Sequence, residues 1–187
     1  MKSLIGSLVW IDLEMSGLNI ETDVILEIAT VITDDNLNVI ATGPSLVIHQ
    51  SDNILNNMDT WCTQSHQESG LSNEVKKSII STQEAENRTI DFIREYCSPN
   101  TAILCGNSVW QDRLFLRKYM PRIIDYLHYR LIDVSSIKEL ISRWYRYDKK
   151  KTFIKAESHR ALTDIIESIE ELKYYKDYFF KENTFPQ

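Results

Sequence analysis

The sequence predicts an α/β domain in which a mixed β-sheet lies between α-helices. Short runs rich in Val, Ile and Leu fill the first fifty residues, strand and helix patterns alternate after residue 80, and a long helical periodicity closes the chain.

Residues 8–11, 24–33, 37–41 and 45–49 read as three or four strands, being apolar, often β-branched, and separated by Gly, Asn, Asp and Pro. Asp34-Asp35-Asn36 reads as a hairpin turn, so the opening of the sheet is predicted to be antiparallel. Residues 51–69 are polar with room for short helices, and residues 82–97 show helical spacing through Ala85, Ile90, Ile93 and Tyr96. Residues 101–105 form a further short strand. Gly106-Asn107-Ser108 then turns into a helix over 111–119, with Pro121 as a break or a new start. Residues 129–134 resemble another strand, followed by Ser135 or Ser136 as the cap of a helix over 138–145. Residues 146–155 are a charged loop, and the last helix, over 160–179, repeats apolar residues at Leu162, Ile165, Ile166, Ile169 and Leu172.

A chain of 187 residues suits one domain, taken as 1–187, and is long enough for one substantial core. Its 43% hydrophobic and 26% charged residues place it among globular rather than disordered sequences. The apolar stretch 4–11 is short, lacks a small-residue cleavage site and runs straight into Asp12 and Glu14, which favours a first strand over a signal peptide. No segment reaches the ~20 apolar residues that span a membrane, so no membrane partner is expected. Cys62, Cys97 and Cys105 are odd in number and contain no Cys-x-x-Cys pair, against a disulfide framework or zinc knuckle and in favour of a reducing cytoplasm. A net charge of -6 argues against gripping long nucleic acid through a broad positive surface. A nuclease stays open, because acids gathered around cations create a locally positive site for phosphate.

Asp12 and Glu14 are the most informative pair. In an extended strand, residues two apart point the same way, so both carboxylates emerge on one face beside apolar neighbours and need a counter-charge or a cation. Asp112, near a helix start, and Asp164, in the last helix, come from two further elements. Four carboxylates from three elements suit two hard divalent cations, Mg2+ or Mn2+, which prefer oxygen ligands and can clamp a phosphate. Each acid alone equally fits a blander role: a polar loop after a strand, a helix cap, or a solvated helical side chain. His159 precedes Asp164 by five residues, about 140° around a helix, so it belongs at or before the helix start. From there it reads either as a general base, imidazole being a side chain suited to proton transfer near neutral pH, or as a surface histidine.

The ordered set Asp12-x-Glu14, Asp112, and His159 with Asp164 in Ser158-His159-Arg160-Ala161-Leu162-Thr163-Asp164 resembles the DEDDh family of 3′-to-5′ exonucleases, and within it the oligoribonucleases. Trp10-Ile11-Asp12-Leu13-Glu14-Met15-Ser16-Gly17-Leu18, Gly106-Asn107-Ser108, Lys118-Tyr119-Met120-Pro121 and His128-Tyr129-Arg130 extend the likeness over nearly the whole chain. The resemblance implies a ribonuclease H-like sheet, a homodimer, and removal of nucleotides from the 3′ end of short single-stranded RNA, down to dinucleotides. It also assigns roles: Asp12, Glu14, Asp112 and Asp164 to the metals, His159 to the general base, and Leu18 and Trp61 to wedging and stacking on bases. Ser108, Arg130 and Ser135 match a cap on the 5′ phosphate, Tyr129 a residue reaching the partner's site, and His66 a substrate-side position. Two departures stand out: Trp110, where the family often has a small residue, and Thr163, where a second Asp often precedes Asp164. The basic set Arg143, Arg146, Lys149, Lys150, Lys151 and Lys155 reads better as a solvated loop than as an RNA guide. A DNA exonuclease of the same family, and a catalytically silent nucleic-acid-binding module on the same fold, are the competing readings.

Overall fold

Alternation along the first strand divides the core in two. In β1 (Leu8–Met15), Val9, Ile11 and Leu13 join one apolar cluster while Leu8 and Trp10 join another on the opposite face. β2 (Ile25–Thr33) behaves likewise, with Ile28 and Ile32 on the first side and Ala29 and Val31 on the second, and is buried along its length. The computed structural model describes residues 7–146, 153–154 and 159–180. β3 (Val39–Val47), β2, β1, β4 (Ile103–Gly106) and β5 (Leu131–Asp133) form one sheet in that order. β1 to β3 are antiparallel, whereas β4 and β5 run parallel to β1. This mixed sheet between helices is the ribonuclease H-like architecture expected.

Eight helices surround it: α1 (Asp52–Asn56), α2 (Thr60–Glu68), α3 (Leu71–Lys77), α4 (Thr82–Tyr96), α5 (Val109–Tyr119), α6 (Pro121–Tyr126), α7 (Val134–Trp144) and α8 (Ala161–Phe179), counted among the described residues. α4, α5 and α6 cover the first face through Ile90, Ile93, Phe115, Leu116 and Ile123. α7 and α8 cover the second through Val134, Ile141, Ile165, Ile169 and Tyr175. Each such side chain contributes roughly 1.5–3 kcal/mol through burial, which holds the helices onto the sheet. Trp10 keeps its one polar atom satisfied by donating Nε1–H to Thr33 Oγ1 at 3.0 Å. No helix among the described residues is long and apolar enough to cross a membrane.

Several boundaries differ from the predicted ones for local reasons. The two runs 37–41 and 45–49 join into the single strand β3, whose register shifts opposite Thr30, where Gly43 and Pro44 stand. Pro44 lacks an N–H and is tolerated on this outer strand, while a Cβ on Gly43 would lie 2.5 Å from the Phe92 ring. α5 begins at Val109 rather than 111, which draws Asp112 into its first turn. The strand predicted over 129–134 contracts to Leu131–Asp133, and Asp133, rather than Ser135 or Ser136, caps α7 by accepting the Ser135 N–H at 2.9 Å. Pro121 opens α6, where its missing N–H is harmless. Of the predicted charged loop, residues 147–152 and 155 lie outside the described residues, and with them Lys149, Lys150, Lys151 and Lys155.

Two buried carboxylates hold these connections. Glu86 is 3% exposed and accepts the Arg122 N–H at 2.8 Å, satisfying a free donor in the first turn of α6. Glu171, fully buried, accepts Asn107 Nδ2–H at 2.9 Å and the Tyr175 hydroxyl at 2.8 Å, with Lys138 Nζ at 3.6 Å. Replacing Glu86 by Ala leaves that Arg122 N–H without its acceptor and is expected to cost about 1–2 kcal/mol. Urea unfolding measures this, and an unchanged midpoint would show that Glu86 does not hold α6.

Candidate active site

β4 runs beside only Leu8, Val9 and Trp10, so β1 projects beyond its parallel neighbour just where Asp12 and Glu14 occur. Both share the face of Leu8 and Trp10 by alternation, the face that α8 covers. Asp164, in the first turn of α8, completes a group in which one oxygen from each of Asp12, Glu14 and Asp164 lies within 4.8 Å of the others. All three acids are partly buried. Burial pushes the Glu14 carboxyl up from 4.5 to about 8, helped by the charges of Asp164, Glu27 and Asp112 and opposed by Arg160. Crowded acids with this penalty call for positive charge, and an all-oxygen donor set suits a hard divalent cation.

Asp112 stands beside this trio. It is 5% exposed, and its Oδ1 accepts the Leu13 N–H at 3.0 Å, a donor on the part of β1 that has passed the end of β4. Burial raises its pKa against the lowering effect of that bond, and its charge reaches Glu14. Thr163 is exposed on α8, while Asp164 joins the cluster.

His159 lies two residues ahead of α8, where the five-residue spacing required it, in a left-handed backbone conformation with φ of 50°. Its ring meets that of Trp61 edge-on, with centroids 5.5 Å apart. Trp61 is 63% exposed on α2, an unusual setting for a tryptophan and one open to stacking. His66, on the same helix, is instead 1% exposed. Its Nε2 donates to the Met15 carbonyl at 2.9 Å, and its Nδ1 lies 3.9 Å from Glu14 Oε2. Burial lowers the His66 pKa, against the raising effect of its bond to Met15 and the charge of Glu27.

Leu18 is 70% exposed in the loop after β1. Asp23 closes that loop by accepting from the Ser16 hydroxyl at 3.0 Å and the Asn19 N–H at 2.9 Å, and a Cβ on Gly17 would meet its carboxylate at 2.5 Å. Gln111 adds a bond to the Leu18 carbonyl at 2.9 Å. Ser108 and Ser135 are brought together, with the Ser108 N–H reaching Ser135 Oγ at 2.9 Å and the two hydroxyls 3.1 Å apart. Asp133 Oδ1 gathers them, accepting from the Ser108 N–H at 3.0 Å and the Ser135 N–H. Arg130 is exposed, with its guanidinium over the Tyr129 ring at 5.6 Å, and Tyr129 itself is 68% exposed. Trp110, also exposed, shares a surface depression with Ser108, Ser135 and Leu140.

The sequence reading passed over Glu27, Arg160, Glu74, Asp133 and Asp23. Glu27 alone left a readable sign, being a charge inside the run Ile25-Leu26-Glu27-Ile28-Ala29. Arg160 forms ion pairs with Glu27 at 3.1 Å and with Glu74 at 2.9 Å.

A carboxyl whose pKa is raised by folding stabilises the fold below its unfolded value and loses that contribution as the pH rises to its folded value. Glu14 therefore makes chelator-treated protein less stable between pH 4.5 and about 8. Added Mg2+ or Mn2+ should raise Tm at pH 8 and change it little at pH 5. A Tm indifferent to either cation at pH 8 would count against a metal at these acids.

The exonuclease family model (RNase_T) matches residues 9–172. The oligoribonuclease of Acinetobacter baylyi is 49% identical over 94% of this chain and 96% of its own. The mitochondrial oligoribonuclease of Homo sapiens is 49% identical over 97% of this chain and 76% of its own. Among solved structures, exonuclease I of Methylocaldum szegediense superposes with a TM-score of 0.69 at 15% identity. The match covers 93% of this chain but only 41% of that one. The zinc-bound E. coli exonuclease I complex with single-stranded DNA gives 0.70 at 12% identity, again over 93% and 41%. At such identities these structures share the fold, while the curated relatives extend the kinship to nearly full length. The chain belongs to the oligoribonuclease family within the exonucleases, a family of nuclease hydrolases.

Proposed function

We propose that the chain is a two-metal 3′-to-5′ exoribonuclease that degrades short oligoribonucleotides, dinucleotides above all, to nucleoside 5′-monophosphates. The observation that carries this is the convergence of Asp12, Glu14 and Asp164 at the open end of β1, in a chain half identical to oligoribonucleases. Asp12, Glu14 and Asp164 with Asp112 would hold Mg2+ or Mn2+, which supply Lewis-acid charge to the phosphate and make a water easier to deprotonate. His159 takes the proton from the attacking water as its oxygen bonds to phosphorus. The bond from phosphorus to the 3′ oxygen breaks, that oxygen is protonated from solvent, and the terminal nucleotide leaves with its 5′ phosphate. Leu18 and Trp61 hold the bases, a tryptophan stack contributing about 1–3 kcal/mol per base, and His66 supports the substrate side of the site.

Ser108, Ser135 and Arg130 form the proposed cap on the 5′ phosphate, the arginine offering a fork of donors and the serines completing the contact. A pocket closed at that point measures substrate length. Arg130 now lies over Tyr129, and both are exposed, which suits a homodimer in which Tyr129 serves the neighbouring site. The enzyme acts as one domain over 1–187 and works in the cytoplasm, a setting supported by three buried cysteines in the free thiol form.

Asp12→Ala and His159→Ala are each expected to lower turnover by about 10²-fold or more with the circular dichroism unchanged. Near wild-type cleavage by either purified variant would overturn the assignment. In a time course with Mg2+, a 5′-phosphorylated diribonucleotide should be consumed faster than a longer RNA or a DNA dinucleotide. Preference for the DNA would favour the DNA exonuclease. Mixed dimers of Tyr129→Ala and His159→Ala chains should regain activity at one site, and failure to do so would exclude a shared site.

A further inference from the structure

One guanidinium ties acids from β2 and α3 to the segment that carries His159. Arg160 lies immediately after His159 and four residues before Asp164. It grips Glu27 side-on, Nε to Oε2 at 3.2 Å and Nη2 to Oε1 at 3.1 Å. It also forks onto Glu74, Nη1 to Oε1 at 3.0 Å and Nη2 to Oε2 at 2.9 Å. Glu27 is 1% exposed and pairs in register with Glu14 across β1 and β2. A buried carboxylate in that position is tolerable only with a hydrogen-bonded partner, and Arg160 supplies it.

Glu27 does more than neutralise. Its Oε2 also accepts the Ala161 N–H at 3.3 Å, and Ser45 Oγ donates to its Oε1 at 3.1 Å. Arg160 is the N-cap of α8 but provides no side-chain acceptor, so Glu27 caps this helix from a neighbouring strand. The Asp164 N–H then bonds to the Arg160 carbonyl at 3.0 Å, closing the first turn. On the other side of Arg160, His159 holds a positive φ of 50°, a conformation that a non-glycine residue keeps only when its surroundings impose it. Glu74 belongs to α3, which packs beside α2, the helix that carries Trp61, so the second fork ties the segment of His159 to the helix pair that carries its ring partner.

We propose that Arg160, clamped by Glu27 and Glu74, is a positioning residue that sets His159 against the metal-binding acids. This rests on the nuclease reading of His159. Arg160→Lys keeps the charge but cannot make two side-on forks. It is expected to lower kcat on a 5′-phosphorylated diribonucleotide about 10–100-fold with KM changed less than about threefold, the effect of misplacing a catalytic group. If the residue acts through His159, the same change in a His159→Ala background should cost less than about threefold under single-turnover conditions. Equal losses in both backgrounds would overturn the proposal, as would an unchanged kcat in the single variant. A His159→Ala enzyme with wild-type turnover would instead sink the nuclease reading beneath it.

Two controls keep the test independent of folding. Glu74→Gln weakens one fork and leaves the buried Glu27 fork in place, so it should fold normally and lower kcat in the same direction by a smaller factor. In NMR spectra of substrate-free protein, the cross-relaxation between the His159 and Trp61 rings should disappear in Arg160→Lys. Its persistence, or a full kcat in a folded Glu74→Gln protein, would overturn the clamp.

Discussion

Negative charge concentrated at the end of β1 is the constraint around which the molecule is arranged. Asp12 and Glu14 cannot turn away from each other, because strand geometry commits both to the face of Trp10, and Glu27 in the adjacent strand adds a third acid to the same surface. Asp164 brings another from α8. Only Arg160 among the described groups acting on Glu14 lowers its pKa. Arg160 places positive charge at the Glu27 edge of the cluster, and Asp12, Glu14 and Asp164 bring their oxygens together beyond it. An apolar floor makes this arrangement durable, since Trp10, Ile165 and Ile169 pack directly behind it.

The two faces of the sheet divide the labour. The face covered by α4, α5 and α6 is a large apolar cluster, and the buried Glu86 beside it serves the start of α6. The face covered by α7 and α8 carries the acids at one end and the buried Glu171 further along α8, where Asn107 and Tyr175 satisfy it. Asn107 immediately precedes Ser108, so the turn that presents the serine is tied through Glu171 to the helix that presents Asp164. Elements remote in sequence thus share supports.

Much of this was legible from residues alone, for reasons that can be traced. Period-two alternation through Leu8, Trp10, Asp12 and Glu14 located the acids on one face, and the angular argument from Asp164 put His159 ahead of its helix. Apolar spacing found α4, α5 and α8 because packing stripes are written in single side chains. What escaped detection depends on pairs distant in sequence. Glu27 and Arg160 are 133 positions apart, and nothing local to either announces the other. The split prediction for β3 failed at Gly43-Pro44, a break in local propensity that the edge position and the Phe92 contact override. Ser135 looked like a cap because serine often is one, but Asp133 stands nearer the turn and takes the backbone donors instead.

The serine pair has a consequence for what can dock there. Two hydroxyls bonded to each other at 3.1 Å use one proton between them and leave one, while the Ser108 N–H occupies a further lone pair on Ser135. Asp133 absorbs the neighbouring backbone donors, so they are withdrawn from the opening. The pair keeps the Ser135 hydroxyl proton as a donor, while Ser108 Oγ, which has given its proton to Ser135, keeps its own lone pairs. The two serines are thereby differentiated: Ser135 is left to donate and Ser108 to accept, although their side chains are chemically the same.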